Sequence, residues 1–125
     1  MNIKKASELA ELSADTIRYY EKIELIPAIK RSQGGIRVFD EQDIRSIKFA
    51  VTMRKAGLSI EKLRKYLALF REGDETIQER KIILSTQVEA LKENIAELTE
   101  TLEYLEYKLE NYEEHLKPFE NSLIH

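Results

Sequence analysis

The chain has 125 residues, with 20 Lys+Arg against 23 Asp+Glu, 42% apolar residues, 4 Gly, 2 Pro and neither Cys nor Trp. That length suits one compact domain or a small domain with an extended element. No apolar run approaches the roughly 20 residues of a membrane span, and the start MNIKKASELAEL lacks the apolar core of a signal peptide, so a soluble, cytoplasmic chain is expected. Zero Cys excludes disulfides, thiolate metal sites and thiol redox sensing, and it leaves His115 and His125 as the imidazole ligands.

The net charge of −3 hides an asymmetry. Residues 1–70 carry 14 basic and 9 acidic side chains, whereas residues 71–125 carry 6 and 14. A basic head suits a polyanion, because cations that neutralise phosphates release condensed counterions; an acidic tail would be repelled by the same ligand.

In chain order, Asn2 can cap a first helix over about residues 3–10 and Ser13 a second over about 14–23, since both side chains accept from free amides at a helix start. So short a junction between them predicts a helix-turn-helix unit. After Pro27, the stretch IKRSQGGIRVF places β-branched and aromatic residues around Gly34-Gly35 and predicts a two-stranded hairpin, a wing. Asp40 starts a third helix that buries Ile44, Ile47, Val51 and Ala50, with Gly57 just past its end. Ser59 caps a fourth, whose apolar positions Ile60, Leu63, Tyr66, Leu67 and Phe70 recur at helical steps before Gly73.

From Asp74 to Lys117 there is no Gly or Pro, and Pro118 marks the expected end of one helix about 65 Å long. Its apolar residues alternate steps of four and three, with Val88, Ile95, Leu102, Leu109 and Leu116 at a and Ile77, Leu84, Leu91, Leu98, Leu105 and Tyr112 at d. So narrow a seam asks for a second helix, and a homodimer supplies it. The dimerisation residues expected are Leu84, Val88, Leu91, Ile95, Leu98, Leu102, Leu105, Leu109 and Tyr112. The e and g positions hold no clean charge code and fix no orientation. The expected organisation is mainly α: a winged helix-turn-helix head with a small β-hairpin wing over residues 1–72, a long coiled-coil dimerisation helix over 73–117, and a short tail over 118–125.

With Ser13 as cap, Ile17 and Tyr20 can turn inward while Thr16, Arg18, Tyr19 and Lys22 present donors to a groove and its phosphates. Arg31 and Arg37 flank the Gly-Gly turn, and a guanidinium can grip phosphate with two hydrogen bonds. There is no nucleophile–base pair, phosphate-binding Gly-rich loop or metal-ligand spacing around His115, which argues against an enzyme, a metal site or a cofactor.

The string TIRYYE at 16–21, followed by Leu25, Pro27, Gly35, Arg37, DEQDIRSIKF at 40–49 and AGLSIEKLRKYL at 56–67, resembles the DNA-binding domain of the MerR family of bacterial transcription regulators. With the long helix, the resemblance covers nearly the whole chain. It completes the candidate duplex-binding set as Lys5, Ser13, Thr16, Arg18, Tyr19, Tyr20, Lys22, Arg31, Gly35, Arg37 and Phe39. Four departures stand out: Glu11 and Glu24 occupy positions where the family uses Gly, and Ile36 and Phe39 replace wing tyrosines. If Glu11 and Glu24 keep positive φ, each costs on the order of 1 kcal/mol.

The resemblance implies a dimer with two winged heads on an antiparallel coiled coil. Such a dimer binds a pseudo-palindromic site in double-stranded promoter DNA and bends and untwists an overlong spacer, acting on RNA polymerase indirectly. An effector would bias two arrangements of the heads. The residues after Pro118 are too few for a separate ligand domain. An aromatic-lined effector site would draw on Tyr66, Phe70, Tyr104, Tyr107 and Phe119. The alternative is an architectural protein that bridges or anchors DNA without regulating a promoter.

Overall fold

The computed structural model describes residues 1–124; His125 lies outside them. The described residues form helices α1 (Ile3–Ala10), α2 (Ala14–Lys22), α3 (Glu41–Lys55), α4 (Ile60–Glu72), α5 (Ile77–Glu110) and α6 (Tyr112–Ile124), with a single 3₁₀ turn at Asp74–Thr76. The chain divides into two compact units, Met1–Gln87 and the remainder from Val88.

In the first unit each predicted helix start carries its cap. Asn2, Ser13 and Ser59 side chains accept the amides of Lys5, Thr16 and Lys62. Asp40 goes further: its carboxylate accepts the Asp43 amide while Asp43 accepts the Asp40 amide, a reciprocal capping box. Asp43 is buried there, and burial together with the neighbouring Asp40 carboxylate pushes its pKa up.

The core gathers one stripe from each of the first four helices and their connections: Ala6 and Ala10 of α1, Ile17 and Tyr20 of α2, Leu25, Ile26, Ile29 and Phe39 of the connection, Ile44, Ile47 and Ala50 of α3, then Leu58 and, in α4, Leu63. α1 packs against α2 and α3, and α3 against α4. Val51 is half-buried at the edge of this core. The turn between α1 and α2 requires Glu11 in the left-handed region at φ 54°, and Glu24 follows α2 at φ 65°. Both non-Gly residues therefore hold the conformation that a glycine adopts without strain.

The first unit runs on through the 3₁₀ turn into α5. Thr76 is buried and its hydroxyl lies 2.6 Å from the Leu69 carbonyl, Arg80 donates to the Thr76 hydroxyl and the Gly73 carbonyl, and Gln87 Nε2 donates to the Ala56 carbonyl at 2.7 Å. Packing of the head thus extends through residue 87.

Two expectations are corrected. No strand forms among the described residues: the wing is a loop with a single antiparallel bridge, Arg31 to Arg37, flanked by Ser32 N–H to Ile36 O and Val38 N–H to Lys30 O. Toward the tip the next rung is missing because the Ile36 amide goes to the Ser32 hydroxyl and the Ser32 carbonyl accepts the Gly35 amide, while at the base the outward-facing amides tie the legs to the rest of the head. Ile29 N–H goes to the Glu21 carboxylate and Phe39 N–H to the Met1 carbonyl. Nor does one helix run to Pro118. The break falls at Asn111, whose backbone amide and Nδ2 both donate to the Tyr107 carbonyl. Pro118 sits inside α6.

α5 is 34 residues, about 50 Å of helix. It has no fully buried residue, and Val88, Leu91, Ile95, Leu98, Leu102, Leu105 and Leu109 are exposed along its predicted seam. Tyr112, at the start of α6, is also exposed, whereas Leu84 is half-buried in the first unit. A row of uncovered leucines at heptad spacing is the pattern of a coiled-coil helix without its partner.

Candidate nucleic-acid interface

α2 presents a polar outer face because its apolar residues are committed inward. Ile17 is fully buried and Tyr20 is 9% exposed, so the helix can only be docked with Arg18, Tyr19 and Lys22 facing out, all three exposed. Lys22 also lies in the last turn and Asp15 in the first, both favourable to the helix dipole. Arg18 Nη1 donates to Asp15 at 2.8 Å. That pair is open to solvent, and exposed ion pairs are weak, so a phosphate can displace Asp15. The Thr16 hydroxyl is engaged with the Ser13 hydroxyl at 2.7 Å, and Ser13 caps the helix as well. Lys5 is exposed on α1.

The wing begins where Leu25, Ile26 and Ile29 anchor the chain in the core. Its tip turns at Gly35, φ 78°, and Arg31 Nη1 donates to the Gly35 carbonyl at 3.0 Å, leaving the rest of the guanidinium exposed. Arg37 behaves differently: it is half-buried and its Nε donates to Glu21 at 2.8 Å. Burial alone would raise the Glu21 pKa. Hydrogen bonds from the Ile29 amide and Arg37 outweigh it and hold the carboxyl below its ordinary range.

Two members of the expected DNA-binding set are thereby corrected. Phe39 is 2% exposed and belongs to the core, because alternation along the returning leg points it inward between exposed Val38 and Asp40. The ring of Tyr20 is likewise core, one helical turn from Ile17. Sequence reading missed Glu21 as the partner of Arg37. The motif TIRYYE contains it, but sixteen residues separate it from its partner and no local period connects them.

A concavity of about 580 Å³ lies within the first unit, lined by Leu25, Ile26, Pro27, Phe49, Tyr66, Leu67 and Phe70, with Gln42, Arg45, Ser46 and Arg71 as its polar residues. The Phe49 and Tyr66 rings meet tilted, with centroids 5.8 Å apart, and the Arg80 guanidinium lies 5.5 Å over Phe70. Of the aromatic residues expected at an effector site, Tyr66 and Phe70 line this groove. Tyr104, Tyr107 and Phe119 are exposed residues of the second unit, where Tyr107 faces His115 at 5.3 Å. Among the described residues no group of three or more His, Cys, Asp or Glu is placed to hold a metal ion, and no helix is long and apolar enough to cross a membrane.

The pattern of an exposed recognition helix, a tied wing and a capped four-helix head has counterparts. The family of MerR HTH regulatory proteins matches residues 1–69, and the MerR DNA-binding family matches residues 44–107. The chain belongs to the MerR family. This places it among helix-turn-helix transcription regulators and outside the enzymes.

The AdhR transcriptional regulator of Bacillus subtilis is 50% identical over 93 residues, which is 74% of this chain and 66% of that protein. A MerR-family protein from Listeria monocytogenes, of known crystal structure, is 50% identical with a TM-score of 0.84, covering 98% of this chain and 93% of its own. HiNmlR, described as a MerR family regulator lacking the sensor domain and crystallised on promoter DNA, is 33% identical with a TM-score of 0.83, covering 90% and 86%. As a MerR head, the first unit keeps the helix-turn-helix of its family with Glu11 and Glu24 held at positive φ.

Proposed function

We propose that the chain works as a homodimer that binds a pseudo-palindromic site in double-stranded promoter DNA and adjusts its twist. The observation that carries this reading is the exposed Arg18–Tyr19–Lys22 face of α2 beside the Arg31 wing, in a chain similar to a regulator crystallised on promoter DNA. α2 enters the major groove, with Lys5, Ser13, Thr16 and Gly35 near the backbone, and Arg31 tracks the neighbouring phosphates. The seam from Leu84 to Tyr112, uncovered from Val88 onward, pairs two copies, so that both heads engage one duplex.

The dimer bends and untwists an overlong spacer so that RNA polymerase reads both promoter elements in register. The deformation costs of order 1–6 kcal/mol for smooth bending and is offset by phosphate contacts from both heads. The site of action is the cytoplasm, on the nucleoid. A small-molecule effector enters the groove lined by Tyr66 and Phe70.

The test is a footprint on the promoter beside the chain's own coding sequence. Protection of one short palindrome within a stretched spacer, lost in Arg18→Ala while the dimer persists, is the expected result. Uniform coating of many unrelated fragments points to an architectural protein. Unchanged affinity of Arg18→Ala at moderate salt contradicts the assignment of α2.

A further inference from the structure

One carboxylate joins the recognition helix to both legs of the wing. Glu21 Oε2 accepts the Ile29 amide at 2.6 Å on the outgoing leg, and Oε1 accepts Arg37 Nε–H at 2.8 Å on the returning leg. The pair is shielded, with side-chain exposures of 14% for Glu21 and 23% for Arg37. Arg31 is bridged directly opposite Arg37, so two cationic residues face each other across a minimal ladder, an arrangement that like charges disfavour. Glu21 lies within the field of both guanidinium groups, each of which favours its ionised form. With no strand among the described residues, the wing has few backbone bonds to fix its direction, and the two bonds to Glu21 supply what a ladder would otherwise provide.

We propose that Glu21 is a positioning residue for DNA binding: its two oxygens set the wing against the recognition helix and, by engaging Arg37, make Arg31 the wing cation that meets phosphate. This rests on the reading of α2 and the wing as the duplex-binding face. It makes a forecast opposite in sign to simple electrostatics. An anion beside a polyanion repels it, so charge alone requires that neutralising Glu21 tighten binding. Positioning requires that it weaken binding.

The test compares wild type, Glu21→Gln, Arg37→Gln and the double variant as full chains on the labelled promoter fragment upstream of the chain's own coding sequence. Gln keeps the shape of Glu21 but offers one acceptor oxygen in place of two, so Ile29 and Arg37 cannot both be held. We expect Glu21→Gln to bind about tenfold more weakly, with the slope of log K against log salt reduced by about two, one wing phosphate lost per head.

Hydroxyl-radical protection should vanish at the flanks and persist at the recognition-helix contacts, and the double variant should bind no more weakly than Arg37→Gln alone. Equal or tighter binding by Glu21→Gln, unchanged flank protection, or additive losses in the double variant overturns the proposal. Should Glu21→Gln fail to fold, Arg37→Gln decides the matter by the same flank protection, whose retention overturns it. Absence of any wild-type footprint defeats the DNA reading itself, and so differs from failure of the positioning role.

Discussion

Gly57 lies just past α3 at φ 91°, and a Cβ built on it stands 2.9 Å from Gln87 Nε2. That same amide donates to the Ala56 carbonyl at 2.7 Å, tying the first turns of α5 to the end of α3. Gly57→Ala therefore incurs two costs. Left-handed backbone at a residue with a Cβ costs about 1–2 kcal/mol, and displacing Gln87 loses a hydrogen bond of about 0.5–1.5 kcal/mol. The sum is about 1.5–3.5 kcal/mol, which at about 4–8 °C per kcal/mol lowers the melting temperature by roughly 6–28 °C.

Gln87→Ala separates the two costs. Alone it loses the hydrogen bond; combined with Gly57→Ala it removes the colliding atom, so the double variant falls short of the summed losses by about 1 kcal/mol. Thermal melts by circular dichroism at one fixed protein concentration read all four proteins. A Gly57→Ala melt within about 2 °C of wild type, or strictly additive losses, refutes the reasoning.

Glu11→Gly and Glu24→Gly should each stabilise the head by about 0.5–1 kcal/mol, the relief of positive φ exceeding the extra freedom of Gly in the unfolded chain; lower urea midpoints would contradict this. Leu98→Glu with Leu105→Glu places charges on two of the most exposed seam positions and should give monomers by sedimentation. A dimer that survives both substitutions excludes this seam. The Glu21 pKa is lower folded than its ordinary value of 4.5, so its stabilisation is present above that value and is lost as pH falls through the folded pKa. Wild type should lose more stability on acidification than Glu21→Gln, and parallel pH curves would remove that contribution.

Local chemistry was legible wherever one turn of chain decides the outcome. Asn2, Ser13, Asp40 and Ser59 cap as their side chains require, Gly57 and Gly73 end their helices at positive φ, and the heptad leucines lie uncovered along α5. Even the strain at Glu11 and Glu24 followed from the family pattern. Features set by distant partners were not legible. The wing sequence has strand propensity, yet the Ile29 and Phe39 amides at its base go to Glu21 and Met1, which no period in IKRSQGGIRVF reveals.

Phe39 looked like a substituted wing tyrosine and is a core residue, while Arg37 looked like a free cation and is half of a shielded ion pair. The α5–α6 boundary falls at Asn111 and Pro118 lies inside α6, so the obvious punctuation at Pro118 misled. Gln87, a polar residue in an apparent coil, belongs to the head through one hydrogen bond across 31 residues.

The most direct measurement of the central claim is the stoichiometry of the complex, by sedimentation of the full chain with a fluorescent promoter duplex over a salt series. The account predicts two protomers per duplex and affinity that falls steeply as salt rises, because both heads neutralise phosphates. Tight binding of a single protomer, or binding indifferent to salt, would contradict it.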